Sequence, residues 1–268
     1  MAEPDVNGVG RQSLQEALQV LQAELDRWQE NGQVATFWWR DDDANQAEES
    51  LDQLLQASAL HQVPLALATI PDSLASSVIR AVLDTPTVTV LQHGFSHKNY
   101  ALEGQKKMEL GLTRPLNVVC AELKQGQLAL EEVFAAQFQS VLVPPWNRIA
   151  DEVVNELPQL GYSGYSTFGV VDLQPVLLGQ ANMHVDIIDW RNTRRTFAFE
   201  QIVVQIVTHL QARRHGAAPI DETTGFMTHH LVHDKRAWEF IDGLFALCQR
   251  HDAARWLSSR TVFDALVE

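Results

Sequence analysis

The chain has 268 residues, 46% of them hydrophobic, enough to bury one large core without dividing into two domains. Its 34 acidic against 20 basic residues give a formal charge of −14, which repels phosphate backbones and anionic lipid surfaces, so nucleic acid is not expected as a partner. No apolar run is long enough to span a bilayer, and the opening MAEPDVNGVGRQ lacks the basic and apolar regions of a secretory signal; a cytoplasmic location is the expectation. Cys120 and Cys248 lie in periodic apolar segments with no CxxC or other close pairing, as expected of buried free thiols.

Residues 13–29 open with Ser13-Leu14-Gln15-Glu16, a capping-box pattern, and carry Leu14, Ala17, Leu18, Leu21, Leu25 and Trp28 at helical spacing before Gly32. An amphipathic entry helix is predicted in residues 1–33, packed on a barrel domain of residues 34–268. Residues 34–39 (VATFWW) read as a strand running into Asp41-Asp42-Asp43. Helices at 51–60, 72–83, 118–138, 199–214 and 236–249 alternate with strands at 63–69, 87–91, 141–143, 164–167, 183–188, 224–229 and 255–257. With no internal repeat or linker, this alternation predicts an α/β fold: a distorted or incomplete parallel barrel of about seven strands in a single domain.

Five polar clusters fall at predicted strand ends: RDDDA at 40–44, HGFSH at 93–97, PPWN at 144–147, DIIDW at 186–190 and THH at 228–230. Parallel sheets and barrels gather ligands at the carboxyl ends of their strands, so the clusters are expected to share one face. His93 and His97 have i, i+4 spacing; if the segment turns helically, both imidazoles can chelate one ion. His229 and His233 share that spacing, so spacing alone does not decide, and two surface histidines on a turn would look the same. A carboxylate from another strand end completes a three-ligand site with positions left open, and a cation would relieve the mutual repulsion of the three aspartates.

These motifs resemble those of the polysaccharide deacetylase (NodB homology) family of carbohydrate esterases, over residues 34–257. RDDDA is similar to the family's T-F-D-D-G, which implies Asp42 as catalytic base and Asp43 as metal ligand, with Ala44 for glycine; a slip of one residue gives Asp41 and Asp42 instead. His93-Gly94-Phe95-Ser96-His97 resembles H-(S/T)-x-x-H, the source of both histidine ligands, with Gly94 in the hydroxyl position. VLVPPWN resembles R-x-x-P-P-(Y/W)-G, placing Pro145, Trp146 and Asn147 at the substrate and oxyanion side. No arginine precedes these prolines, and Arg40 or Arg148 is the candidate to hold the catalytic aspartate in its place. Asp186, Asp189 and Trp190 match D-S-x-D-W, which implies that Asp186 tunes a catalytic histidine; that histidine is His229 in one register and His230 in the other, with His233 left as a surface or capping residue.

The resemblance implies removal of an N-acetyl group, in preference to an O-acetyl group, from a sugar, glycan or glycolipid precursor. One divalent cation, Zn2+ before Co2+ or Ni2+, would sit on Asp43, His93 and His97, act as Lewis acid and activate the attacking water. Asp42 would take the water's proton, the Trp146 N–H would help hold the oxyanion, and His229 would protonate the leaving amine, giving a bell-shaped pH profile. Trp146, Trp190 and Trp39 are candidates to stack on the sugar, against core packing as the plainer role of any one of them. An amidohydrolase acting on a non-sugar amide and a carbohydrate-binding protein without turnover stay open as alternatives, and the oligomeric state is not readable.

Overall fold

β1 (Ala35–Ala44) is the strand around which the rest assembles, and its aromatic and β-branched opening gives it two different buried faces. The computed structural model describes residues 6–46, 48–170 and 178–266, with the backbone alone for residues 6–13. After α1 (Val6–Glu30) and β1 come α2 (Glu49–His61), β2 (Leu65–Thr69), α3 (Ser76–Leu83), β3 (Val88–His93), α4 (Leu116–Phe134) and β4 (Phe138–Val143). They are followed by α5 (Asp151–Leu160), β5 (Gly164–Tyr165), β6 (Gly179–Gln180), β7 (Val185–Asp186), α6 (Phe199–Arg214), β8 (Thr224–Thr228), α7 (Lys235–Arg250), β9 (Ala254–Trp256) and α8 (Ser259–Asp264).

The strands pair in parallel in the order β6-β5-β4-β3-β2-β1-β8-β7, and β9 adds to the N-terminal end of β1. The two ends of this path belong to one extended segment. Residues 179–183 bond to β5 and its continuation, with Ala181 N–H to Tyr165 O at 3.3 Å and Met183 N–H to Thr167 O at 2.9 Å. Residues 184–186 bond to β8, with His184 N–H to Gly225 O at 2.8 Å. The segment therefore joins the sheet's two edges, and the predicted distorted parallel barrel of about seven strands is what forms, β6 and β7 being two halves of one strand.

Alternation along β1 separates two cores. Ala35, Phe37 and Trp39 face the helices, in a cluster with residues of α1, α2, α3, α4, α6 and α7. Trp38 faces the barrel interior with Ala66, Ala68, Leu91, Val141, Val143, Met183 and Met227, and Phe263 of α8 closes the lower end, its ring edge-on to Trp38 at 5.9 Å. α1 packs on α6, where the fully buried Glu24 accepts from Arg214 Nε at 2.8 Å and from Gln211 at 3.3 Å.

Several sequence expectations need correction. α1 begins at Val6, so Ser13 lies inside the helix and is no cap; its side chain is outside the described residues. β1 does not stop at Trp39 but runs through all three aspartates. Residues 72–83 split into a 3-10 turn at Pro71–Ser73 and α3. α5, α8 and β6 went unpredicted: Pro158 in the last turn of α5 masks its periodicity, and the other two are six and two residues long. Trp39 is fully buried against Phe245 at 4.8 Å, a core residue and no sugar platform. Cys248 is buried as expected, whereas Cys120 is only half-buried.

Barrel closure leaves no room beside Gly225, where an added Cβ would lie 2.3 Å from Asn182 O and 2.7 Å from Met183 Cα. Gly225→Ala is expected to pry the closing segment off β8 and lower unfolding free energy by about 1–3 kcal/mol, read from urea denaturation.

Candidate active site

The two-residue period of β1 and a distortion at its end send three adjacent acids in three directions. Asp41 follows Phe37 and Trp39 toward the helices, and Asp42 follows Trp38 and Arg40 into the barrel. At Asp43 the backbone turns left-handed, with φ 73°, where the register against β2 shifts. Such irregularities re-aim a side chain, and aspartate tolerates the conformation better than most residues.

Asp43 meets both histidines of the HGFSH cluster. Its Oδ1 lies 2.9 Å from His93 Nε2 and 3.1 Å from His97 Nε2. The far side of the His93 ring faces a backbone carbonyl, Nδ1 to Val143 O at 3.0 Å. A carbonyl only accepts, so Nδ1 carries the ring proton and the Nε2 lone pair points at a carboxylate. Two acceptors at that separation require positive charge between them: a second proton on the ring or a bound cation. Burial opposes charging His93, yet its bond to Asp43 raises its pKa, and burial of Asp43 is overcome by His93 and His97, which hold it well below the usual carboxylate range. A carbonyl-anchored imidazole, a second imidazole and a carboxylate with converging atoms suit zinc or a similar divalent ion. The pair is not built on a helix: Gly94 and His97 both have φ of 55°, so a tight turn brings the imidazoles together and the helical reading of their spacing fails.

Asp42 is held inside the barrel by Arg40, two residues earlier on the same strand face. Nε donates to Oδ1 at 2.8 Å and Nη2 to Oδ2 at 2.9 Å, a bidentate pair with both side chains buried. The rest of the guanidinium donates to Ser166 Oγ at 2.6 Å, Ser166 O at 3.2 Å and Asn147 Oδ1 at 2.7 Å. Of the two candidates to replace the missing arginine, Arg40 is thus the one beside Asp42. Arg148 points away, donating to Lys107 O at 2.9 Å. Asn147 turns its amide to Arg40 and Met227, so it braces the guanidinium and its carboxamide is not offered to a ligand.

Asp41 pairs with His230 instead of a metal ligand. Its carboxylate receives the His230 N–H at 3.0 Å, the Thr228 hydroxyl at 2.6 Å and a short contact from His230 Nδ1. Burial opposes both charges, but the pair lowers the Asp41 pKa and raises that of His230. His230 is therefore tied behind β1, and His229 is the residue of this cluster that meets Trp190, ring edge to ring at 4.8 Å. The buried His229 Nδ1 has no hydrogen-bond partner among the described residues. Asp186 does not bond to it: its oxygens accept Ile188 N–H at 2.9 Å and the Trp190 indole N–H at 2.9 Å, and burial raises its pKa with His229 as a counterweight. Asp189 is spent on the turn that follows, accepting from Asn192. Trp146 is left-handed, φ 56°, with its ring 4.5 Å from His97, and no acceptor among the described residues takes its N–H. Pro145 is buried beside Gly94. Of the residues that complete these networks, Glu109 is a single polar residue between Met108 and Leu110 and carried no sequence signal, Ser166 stood in no recognised cluster, and Thr228 lay in the THH cluster without an assigned role.

A second cluster of His184, His209 and Glu222 lies at the opposite, N-terminal end of the strands. Both Nε2 atoms are 3.3 Å from Glu222, and the rings stack at 3.5 Å. Here the protons are the wrong way round for ligation. His184 Nδ1 accepts the Gly225 N–H at 3.0 Å, so the ring proton sits on Nε2 and points at Glu222. This is a hydrogen-bonded brace.

His233 caps the 3-10 turn of residues 230–232, as expected of a capping residue, but it is half-buried and not at the surface. Its ring lies edge-on to Trp238 at 4.5 Å and its Nε2 accepts the His229 N–H at 3.3 Å, so it fixes the backbone of His229. Burial pushes its pKa down to about 4. Unfolding then takes up a proton between that value and the ordinary one near 6.5, so stability should fall as pH drops across this window, by about 3 kcal/mol at most. His233→Asn is expected to flatten that slope in denaturation curves measured from pH 7 to 4.

No protein-family model and no curated protein sequence matches the chain. Solved structures do. A Mycobacterium smegmatis protein whose name assigns polysaccharide deacetylase activity provisionally superposes with TM-score 0.64 at 14% identity, over 88% of this chain and 91% of the other. A family 4 carbohydrate esterase from Streptomyces lividans, in complex with acetate, gives 0.52 at 14% identity over 80% and 87%. A family 4 acetyl xylan esterase from Clostridium thermocellum, in complex with a cobalt ion, gives 0.50 at 12% identity over 86% and 91%. Barrel, strand order and strand-end clusters together give this chain the NodB-like fold of the polysaccharide deacetylases and family 4 carbohydrate esterases.

Proposed function

We propose that the chain is a metal-dependent hydrolase that removes an N-acetyl group from a sugar or glycan. The observation that carries this reading is the convergence of Asp43, His93 and His97, with the His93 lone pair directed at a carboxylate, next to a second carboxylate held separately by Arg40. The S. lividans and C. thermocellum esterases, named with acetate and with a cobalt ion, have the same fold and support it.

A divalent cation, Zn2+ before Co2+ or Ni2+, supplies Lewis acidity toward the acetyl carbonyl and acidifies water when bound. The chain's residues supply the rest. Asp42, clamped by Arg40, is placed to accept a proton from water without swinging toward the Asp43 site. The unclaimed Trp146 N–H is a preorganised donor for the oxyanion, and the left-handed turn at Trp146 and Asn147 fixes its direction. His229, with its unpartnered Nδ1 and a backbone fixed by His233, is the general acid for the leaving amine. Trp190, two-fifths exposed, and Trp146 present aromatic surface on which a sugar's apolar face can stack.

Elemental analysis of the purified chain, paired with acetate-release assays on N-acetylated sugars and on simple amides, tests the reading. One metal per chain is expected, lost in His93→Ala and kept in His184→Ala. Asp42→Asn should keep the metal while acetate release falls about 10²–10⁴-fold. Release from simple amides as fast as from sugars, or no release from any N-acetylated sugar by the metal-loaded chain, would contradict it.

A further inference from the structure

The turn that carries His97 has no side-chain hydroxyl of its own at position 94, where glycine stands, and it is held by a residue from another part of the chain. Glu109 is fully buried, and among the described residues no lysine or arginine forms an ion pair with its carboxylate. Its charge is met by the turn's backbone. Oε1 accepts Ser96 N–H at 2.7 Å and the Ser96 hydroxyl at 3.1 Å, and Oε2 accepts His97 N–H at 3.2 Å and Phe95 N–H at 3.4 Å. Three consecutive N–H groups around one carboxylate form an anion nest turned inward on the protein's own side chain. Arg114 is spent on Glu122 at 2.7 Å and reaches only the backbone carbonyl of Glu109.

The same contact dictates the residue at 94. A Cβ there would lie 2.2 Å from Glu109 Oε2 and 2.7 Å from the Pro145 ring, so the carboxylate occupies the space a side chain at that position would need. His97, a non-glycine residue at φ 55°, keeps its left-handed backbone because the carboxylate holds its N–H.

We infer that Glu109 is a positioning residue for the proposed metal site: it fixes the 95–97 turn so that the His97 imidazole stands against Asp43. The inference rests on the metal-dependent reading above and deepens it. Supporting residues of ligands cost about 10–100-fold in metal affinity when removed. Glu109→Gln keeps size but turns an N–H2 group toward N–H donors, so it should weaken Zn2+ binding about 10–100-fold by calorimetry and alter the visible spectrum of the Co2+-loaded chain. Ser96→Ala, which deletes one bond to the same carboxylate, should move both readouts the same way by less. Glu24→Gln, at the remote α1–α6 contact, is the control for a merely structural role: it should lower the Tm with Zn2+ affinity and Co2+ spectrum unchanged. Folded Glu109→Gln or, if that chain does not fold, Ser96→Ala with wild-type affinity and spectrum would overturn the inference alone. A wild-type chain that binds no Zn2+ would instead overturn the functional reading beneath it.

Discussion

Three adjacent carboxylates at the end of one buried strand are the constraint around which the mouth of this barrel is organised. A buried carboxylate left unpaired costs several kcal/mol, more than an isolated hydrogen bond returns. The fold answers each acid separately. Asp41 is met by His230 and Thr228 from the β8 end, Asp42 by Arg40 from its own strand, and Asp43 by His93 at the end of β3 and His97 in the turn after it. Answering the charges also ties the strand ends together. Arg40 reaches Ser166 after β5 and Asn147 after β4, so the groups that would act on a substrate are held by the network that neutralises them.

Much of this could be read from residue order. Strand–helix alternation and polar clusters at strand ends gave the barrel and its working face, because period-2 and period-3.6 apolar patterns report burial directly. The resemblance assigned Asp43 to the histidines with a one-residue slip left open, and residue order alone could not close that alternative, since the choice depends on a left-handed residue and a register shift that leave no pattern in RDDDA. Nor could Arg40 be chosen over Arg148: both are near prolines or acids in sequence, and only the strand's alternation puts Arg40 on the face of Asp42. The spacing of His93 and His97 suggested the right partners through the wrong geometry, a helix where the chain makes a tight turn. The closing strand was visible only as one apolar stretch, because hydrogen bonds to different neighbours divide it in two.

The two histidine–carboxylate clusters show why composition does not identify a metal site. Both bring two imidazoles and one carboxylate within ligand distance. What separates them is the group behind each ring. A carbonyl behind His93 forces the proton to Nδ1 and frees Nε2, whereas a backbone N–H behind His184 forces it to Nε2 and spends it on Glu222. Tautomer, set by one backbone hydrogen bond, distinguishes a candidate ligand from a brace.

The central claim is that Asp43, His93 and His97 share one cation. Crystals of the chain soaked in Zn2+ and measured at the zinc absorption edge test it most directly. The account predicts one strong anomalous peak per chain, roughly 2.0–2.2 Å from Asp43 Oδ1, His93 Nε2 and His97 Nε2. A peak at His184, His209 and Glu222 with none at Asp43, or these side chains drawn apart in a zinc-saturated crystal, would contradict it.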